Sequence, residues 1–173
     1  VSPACFLTAR ALEQIKNDVA YSDNPVNVIG ISAGVSYGAL GSTHHSLHDF
    51  AALRAINNLI VVAPADNFET EQTIELAANT NQPVYIRFGK NRVICEGEDV
   101  TIIETGETVY PEIQAEKKLK EKNIHATVVS MHTIKPLDVD LLAKLAKKCK
   151  AIVTVEEHSI NGGLGEACAS FLM

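Results

Sequence analysis

The sequence predicts an α/β fold with two domains built on parallel sheets, and three observations support this prediction. Short β-branched runs alternate along the chain with helical segments of about ten or more residues. Apolar residues make up 46% of the 173 residues, which is enough to form a buried core. A polar, glycine-containing segment at 89–99 separates two sets of these elements. Because strand–helix–strand connections are right-handed, we expect mostly parallel sheets covered by helices on both faces.

The first half of the chain begins with two predicted helix–strand units. Apolar residues at helical spacing predict a helix over 5–19, and the run NPVNVIGIS then predicts a turn that enters a buried strand. A glycine-rich loop follows at 34–41. A short helix is expected to start at Ser46 or His48 and to continue through Ala55, before the β-branched strand LIVVAP.

A third unit completes the first half. Asp66 has Glu69 three residues after it, the spacing of a capping box, which predicts a helix from this point to about Asn79. The run PVYIRF is then expected to form a strand.

The second half repeats the alternation. We place the domain boundary in the polar segment and assign 1–92 to the first domain and 93–173 to the second. The predicted elements of the second domain are, in order, the strand DVTIIETG, a helix over 109–122, the strand HATVVSMH, a helix over 138–148, the strand AIVTVEE, and a loop and helix in GGLGEACASFLM.

Composition excludes several classes of function. The formal charge of −6 and the pI near 5.5 argue against nucleic-acid binding, which needs clustered Lys and Arg. The longest apolar runs, such as LIVVAPA, are far shorter than the ~20 residues of a membrane span. No basic-then-apolar signal sequence is visible, so we expect a cytoplasmic protein without membrane contact. The cysteines are scattered without CxxC spacing and are expected to be separate thiols: Cys5, Cys95, Cys149 and Cys168.

The loop GISAGVSYGALGSTHH is the strongest candidate for a functional site. It follows a predicted strand, and ligands of parallel sheets bind outside the carboxyl ends of strands. Imidazole can transfer protons near neutral pH or donate to an anionic oxygen, and either task fits a sugar-phosphate site. The loop provides flexible backbone, hydroxyls and imidazoles from Gly34, Gly38, Gly41, Ser42, Thr43, His44, His45 and His48.

Two other interpretations of this loop remain open. The histidines could cap the following helix and form only local hydrogen bonds. Alternatively, His44 and His48 could bind zinc together with Asp49, although no further ligand is nearby in the sequence. Neither GxGxxG between a strand and a long helix nor GxxxxGK[ST] occurs, so a dinucleotide or P-loop site is not supported.

Further polar residues follow other predicted strands. Arg87 and Lys90 could hold a phosphate or be simple solvated charges. His132 and His158 also follow strands in the second half. Glycines before the last helix could donate to an anion, but packing of this helix start against a partner subunit is favoured for Gly162, Gly163 and Gly165.

Five segments, in this order, resemble transketolase-type proteins over nearly the whole chain. The segments are FLTARALEQIKNDVAY, GVSYGALGSTHHSLHDFAALRAINNLIVVAPADNFET, PVYIRFGK, ETGETVYPEIQAEKKLKEKNIHATVVSMHTIKPLD and VEEHSINGGLGEA. The superfamily includes transketolase, deoxyxylulose-phosphate synthase and the beta subunits of 2-oxo-acid dehydrogenases. Within it, GVSYGALGSTHH and HTIKPLD most resemble the separate C-terminal subunit of split bacterial or archaeal transketolases.

The resemblance implies roles for both domains and for four residues. The first domain would be part of a pyrimidine-binding domain, the second would be a transketolase C-terminal domain, and thiamine diphosphate would lie between two subunits. Phe6 would stack on the aminopyrimidine, and His44 would be catalytic and face the substrate. His45 and Arg87 would also bind substrate, Arg87 through its phosphate.

The implied activity is transfer of a two-carbon ketol unit between sugar phosphates in carbohydrate metabolism such as the pentose phosphate route. The cofactor carbanion attacks a ketose, keeps two carbons and passes them to an aldose. The alternatives are a deoxyxylulose-phosphate synthase, a 2-oxo-acid dehydrogenase component, or a noncatalytic structural or regulatory module.

Departures from the family pattern indicate a need for a partner. The activating carboxylate would precede residue 1, and no GDG motif for Mg2+ and diphosphate occurs, so another domain or subunit would hold these groups. Leu40 stands where many transketolases have Asp, and the segment 89–97 is a short linker. We expect a diphosphate-domain subunit as partner, in a homodimer or heterotetramer, and a chain that is itself a fragment or lacks residues.

Overall fold

The first half of the chain forms the predicted alternation of helices and strands, with one additional short strand at its start. The structure, a computed structural model, describes residues 1–88 and 97–173, with no side-chain description for 107 and 109–113. The elements of the first half are β1 (Ser2–Pro3), α1 (Ala4–Arg10), α2 (Leu12–Gln14), a π-helical segment (Ile15–Tyr21), β2 (Asn27–Ile31), a 3₁₀ turn (Gly38–Leu40), α3 (Asp49–Arg54), β3 (Ile60–Val62), α4 (Asn67–Asn79) and β4 (Val84–Arg87).

The second half follows the same alternation with one additional strand. Its elements are β5 (Val100–Glu104), a 3₁₀ turn (Gly106–Thr108), α5 (Val109–Glu121), β6 (Ala126–Ser130), β7 (Thr133–Lys135), α6 (Val139–Lys148), β8 (Ala151–Val155) and α7 (Leu164–Leu172).

The strands form two sheets, and the predicted α/β class is confirmed. The larger sheet has the order β1-β2-β4-β3-β7, in which the first four strands are parallel and β7 is antiparallel to β3. The smaller sheet has the order β6-β5-β8 and is entirely parallel. Parallel order follows from the helical crossovers between consecutive strands.

The sequence patterns missed two described strands, β1 and β7. Strand β1 has two residues, and β7 has three and lies directly before Pro136, so both are too short to show a period of two. Strand β7 comes from the second half of the chain but pairs with β3 through Val61–Lys135 and Val62–Thr133. The boundary assigned at residues 92 and 93 lies outside the described residues and stays a prediction.

The helix boundaries agree with the capping signals but not with the first apolar pattern. The Asp66 carboxylate accepts a 2.6 Å hydrogen bond from the Glu69 N–H, so the predicted cap of α4 is confirmed. The helix predicted over 5–19 is interrupted at Ala11 and continues as the π-helical segment. Apolar spacing does not separate i→i+4 from i→i+5 hydrogen bonding, so this change had no sequence signal.

Side chains from both halves pack into one apolar core. Tyr85 on β4, Phe50 on α3, Ile103 on β5 and Leu164 on α7 are all fully buried in the same cluster. The two sheets are therefore joined by shared packing as well as by β7. Among the residues that the structure describes, no helix is both long and apolar enough to cross a membrane.

Candidate functional site

The glycine-rich loop begins at the carboxyl end of β2 and is closed at its base. Gly34 and Ser46 exchange two backbone hydrogen bonds, of 3.2 and 2.9 Å. Gly34, Gly38 and Gly41 have positive φ values of 58°, 48° and 71°, a region that favours glycine. Because β1 is parallel to β2, helix α1 starts at the same edge of the sheet as this loop. The fold thus brings Phe6 and His44 together.

An aromatic cluster surrounds His44. The imidazole forms T-shaped contacts with the Phe6 ring, at a centroid distance of 5.3 Å, and with the Tyr37 ring, at 5.6 Å. The Arg10 guanidinium lies over the Phe6 ring, 4.5 Å from its centroid. Phe6, Tyr37 and His44 are partly buried, so each side chain keeps an exposed part.

The Thr43 hydroxyl orients the His44 ring. It lies 3.0 Å from His44 Nδ1 and 3.4 Å from the Leu40 carbonyl. A hydroxyl can donate to or accept from an imidazole nitrogen, so this contact holds the ring in either tautomer. In the tautomer with the proton on Nδ1, Nε2 can take a proton from a substrate hydroxyl.

The other two histidines of the loop hold backbone and helix in place. His45 Nε2 lies 3.1 Å from the Gly38 carbonyl, which can only accept, so this nitrogen donates. The Thr8 hydroxyl donates to the Ala4 carbonyl at 2.8 Å, so His48 Nε2, 3.4 Å away, is the donor to Thr8. His48 therefore ties the end of the loop to α1, and His45 stiffens its middle.

Arg87 lies in the interior, away from the loop surface. It is 3% exposed, and its guanidinium lies 3.3 Å from Asp49 Oδ1 and 3.0 Å from the Glu157 carbonyl. The same guanidinium stacks on Phe50 at 4.5 Å from the ring centroid. These contacts give Arg87 a structural position, and its predicted role in phosphate binding stays a prediction. Lys90 lies outside the described residues.

Asp49 accepts hydrogen bonds from two buried donors. Its side chain is fully buried, and Oδ2 accepts from the Tyr85 hydroxyl at 3.0 Å while Oδ1 faces Arg87. Burial, together with the neighbouring Asp49 charge, raises the pKa of Tyr85 well above its usual value. The zinc interpretation finds no support, because Asp49 is committed to these contacts and no group of three metal-binding side chains occurs among the described residues.

The anion interpretation of the glycines before α7 is wrong, because the protein's own Glu156 occupies that place. Its carboxylate accepts from the N–H groups of Leu164 at 2.7 Å and Gly165 at 2.8 Å. A Cβ at Gly163 would lie 2.4 Å from Glu156 Oε2, so a side chain there would displace this carboxylate. Packing of this helix start against a partner subunit stays a prediction.

His158, which follows β8, is also interior. Its Nε2 accepts from the Ala51 N–H at 3.3 Å and its Nδ1 lies 2.8 Å from the Ser159 carbonyl, so Nδ1 carries the proton. The ring stacks on Phe50 at 5.3 Å. The approach of Nε2 to Asp49 at 3.9 Å is therefore not an ion pair, because a nitrogen that accepts from Ala51 carries no proton.

His132 lies at a different surface, beside an apolar groove. The groove has a volume of about 220 Å³ and is lined mainly by β3, β4 and α4, including Val62, Phe68 and Leu76. None of Phe6, His44, His45 or Arg87 lines it. The glycine-rich loop and this groove therefore lie at different places on the surface.

The aromatic cluster fits a planar heteroaromatic ring. Phe6, Tyr37 and His44 are partly exposed aromatic side chains in mutual contact, and such side chains can contact a planar ring like the aminopyrimidine of thiamine diphosphate. Among the described residues, no three or more His, Cys, Asp or Glu side chains are grouped so that they could hold a metal ion. Sequence reasoning missed Tyr37 and Arg10 as neighbours of Phe6 and His44. The four-residue spacing of Phe6 and Arg10 on a helix was the available signal.

Comparisons with known proteins identify matching families for both halves. The family described as "Transketolase, pyrimidine binding domain" matches residues 4–94. The family described as "Transketolase, C-terminal domain" matches residues 89–173.

Individual relatives include transketolases and a related synthase. The chain is 46% identical to a subunit of the apulose-4-phosphate transketolase of Phocaeicola vulgatus, covering 94% of this chain and 58% of that protein. It is 37% identical to 1-deoxy-D-xylulose-5-phosphate synthase of Halothermothrix orenii, covering 94% and 28% respectively. A solved structure described as "Split gene transketolase, inactive beta4 tetramer" is 34% identical with a TM-score of 0.88, covering 99% of this chain and 61% of that one. The chain thus spans about three fifths of the length of the two transketolase relatives.

Proposed function

Because this chain belongs to the transketolase family, we propose that it supplies the pyrimidine-facing side of an active site that transfers two-carbon ketol units between sugar phosphates. The observation that carries the proposal is the position of His44 against Phe6 at the carboxyl edge of the larger sheet. This edge is where ligands of parallel sheets bind.

His44 is the proposed proton-transfer group. Its Nδ1 is held by the Thr43 hydroxyl, so Nε2 is the ring nitrogen proposed to accept a proton from a substrate hydroxyl or, once protonated, to donate to a carbonyl oxygen. His45 keeps the loop backbone in place through Gly38, although its imidazole is also a proposed substrate contact. Arg87 remains a proposed ligand of the substrate phosphate, but its burial favours a structural role.

Phe6 is the proposed contact for the aminopyrimidine of thiamine diphosphate. When bound, that cofactor supplies the nucleophilic carbon and the electron sink that carbon–carbon bond cleavage requires. The residues of this chain would orient the ring and the substrate and would hold protons at His44. The second half of the site, with Mg2+ and the diphosphate, is assigned to another domain or subunit.

The proposed partner is therefore a transketolase subunit or domain that binds diphosphate. The Phocaeicola vulgatus relative is one subunit of a transketolase, which supports a split assembly. In a homodimer or a heterotetramer, this chain would line one side of the active site and the diphosphate-binding domain or subunit would line the other. Cys5, Cys149 and Cys168 are free thiols, which agrees with the proposed cytoplasmic location.

A second candidate is a synthase that uses pyruvate. The 37% identity to a 1-deoxy-D-xylulose-5-phosphate synthase favours this candidate. The synthase and a transketolase would use the same cofactor but different donor substrates. Release of carbon dioxide distinguishes pyruvate as donor from a ketose phosphate.

The test combines the full-length protein with a diphosphate-domain subunit, thiamine diphosphate and Mg2+. Ketose phosphate and an aldose phosphate are then offered, with pyruvate plus an aldose phosphate as a parallel assay. We expect ketol transfer without carbon dioxide, and His44→Gln to lower kcat by about 100-fold, as loss of general acid–base catalysis predicts. His125→Gln is the matched control, because His125 is exposed directly before β6, and it should retain wild-type kcat.

Three results would contradict the proposal. Carbon dioxide release from pyruvate without ketol transfer would favour the synthase. No turnover with either donor, despite cofactor uptake, would indicate a noncatalytic module. Wild-type kcat in His44→Gln would remove His44 from the proposed mechanism.

A further inference from the structure

The loop that carries His44 is held at its base by a three-residue segment of the second half of the chain, and two of the three residues contact it. The segment consists of Glu157, His158 and Ser159, and we refer to it as the 157–159 segment. The segment follows β8 of the smaller sheet, whereas the loop follows β2 of the larger one. The contacts therefore connect the two sheets directly at the proposed active site.

Glu157 holds the first side of the loop base. Its Oε2 accepts a 3.2 Å hydrogen bond from the Val35 N–H, and its side chain lies across Gly34. A Cβ at Gly34 would lie 2.8 Å from the Glu157 Cβ, and this glycine has a φ of +58°. Gly34 thus has both a conformational and a steric reason to lack a side chain.

Ser159 holds the second side of the loop base. Its N–H donates to the Leu47 carbonyl at 2.9 Å, one residue after the Gly34–Ser46 pair that closes the loop. The two contacts lie on opposite sides of that pair. A shift of the segment would therefore move both ends of the loop.

The segment is itself anchored in the interior between these two contacts. The His158 ring is fully buried, stacks on Phe50 and accepts from the Ala51 N–H of α3. The Glu157 carbonyl accepts from Arg87 at 3.0 Å. Interior anchoring makes the segment a rigid support, because moving it would break buried hydrogen bonds.

We propose that Glu157 is a positioning residue for the His44 loop, so that the second half of the chain sets the geometry of the proposed active site through this loop. This inference rests on the proposed function, since its catalytic consequence requires ketol transfer. Small misplacements of a catalytic group lower the rate of the chemical step without a matching loss of substrate binding. Glu157 is therefore expected to control kcat more than KM.

The test uses the full-length protein with its diphosphate-domain partner and compares Glu157→Ala, Glu157→Gln and wild type. Glu121→Ala is the matched control, because Glu121 is exposed at the end of α5. Hydrogen–deuterium exchange of 34–48 reports on the loop independently of activity. Steady-state kinetics of ketol transfer report on the site.

In Glu157→Ala we expect exchange in 34–48 to rise by about 10-fold, while exchange in β5 stays unchanged. We expect kcat to fall by about 10-fold with KM within about two-fold of wild type. Glu157→Gln should recover most of kcat, because its amide oxygen can still accept from Val35. Glu121→Ala should match wild type in both measurements.

Each other outcome has a defined meaning. Unchanged exchange in 34–48 of Glu157→Ala would overturn the proposal, and so would faster exchange throughout the chain, which would indicate general destabilisation. Faster loop exchange with wild-type kcat would overturn the positioning role. If the wild-type assembly shows no ketol transfer, the proposed function fails, and the exchange result alone decides whether Glu157 holds the loop.

Discussion

Replacing Asp49 by Asn is expected to cost more stability than any exposed charge substitution in this chain. Asp49 is fully buried and is the anionic partner of Arg87, which is 3% exposed. The substitution keeps the side-chain shape but leaves the guanidinium in the interior without a negative charge. Removing one partner of a buried ion pair costs about 3–5 kcal/mol. For a protein of this size, that loss lowers Tm by about 6–20 °C.

Urea denaturation followed by circular dichroism measures this loss, and two controls calibrate it. Tyr85→Phe removes one hydrogen bond to Asp49 but keeps the ion pair, so it should cost less, about 1.5–3 kcal/mol. Lys150→Ala removes the partner of Asp99 at the surface, where the Lys150 side chain is 82% exposed, and should change stability by no measurable amount.

The double substitution Asp49→Leu with Arg87→Met tests the origin of the loss. It removes both charges and should be more stable than Asp49→Asn alone, because no unpaired charge remains buried. The reasoning would be refuted if Asp49→Asn unfolded within about 1 kcal/mol of wild type. Such a result would mean that the Glu157 carbonyl and the Phe50 ring stabilise the buried guanidinium of Arg87 without the Asp49 charge.

Two further predictions concern titration and thiol reactivity. The folded-state pKa of Tyr85 is raised by burial above its unfolded value, so its contribution to stability is complete below about pH 10 and is lost as pH rises through the folded pKa. The urea midpoint of wild type should therefore fall as the pH rises above about 10, and it should fall less in Tyr85→Phe. An equal fall in both proteins would contradict this assignment. Burial, with a smaller effect of Glu156, raises the pKa of the Cys168 thiol to about 11. At pH 8, labelling with a disulfide reagent should be much slower at Cys168 than at the partly exposed Cys149, and equal in urea; comparable rates in the folded protein would be inconsistent with that burial.

Local sequence signals predicted most elements of the fold. The Asp66–Glu69 spacing predicted the cap of α4, and alternating apolar runs predicted both sheets, because capping and amphipathic periodicity depend on residues a few positions apart. The loop at 34–48 was predicted as a site from its glycines and imidazoles, and the structure places Phe6 against His44.

What the sequence could not predict depends on pairs that are distant along the chain. In the sequence Arg87 is a cation at a strand end, yet Asp49 and the Glu157 carbonyl, 38 and 70 residues away, hold it in the interior. Val35 meets Glu157 across 122 residues. The sequence by itself determined the alternation, the caps and the residue types of the loop, which are local properties. Only the tertiary structure decided which strand β7 joins, what Arg87 binds and what supports the His44 loop, because those contacts exist only after the two sheets have packed together.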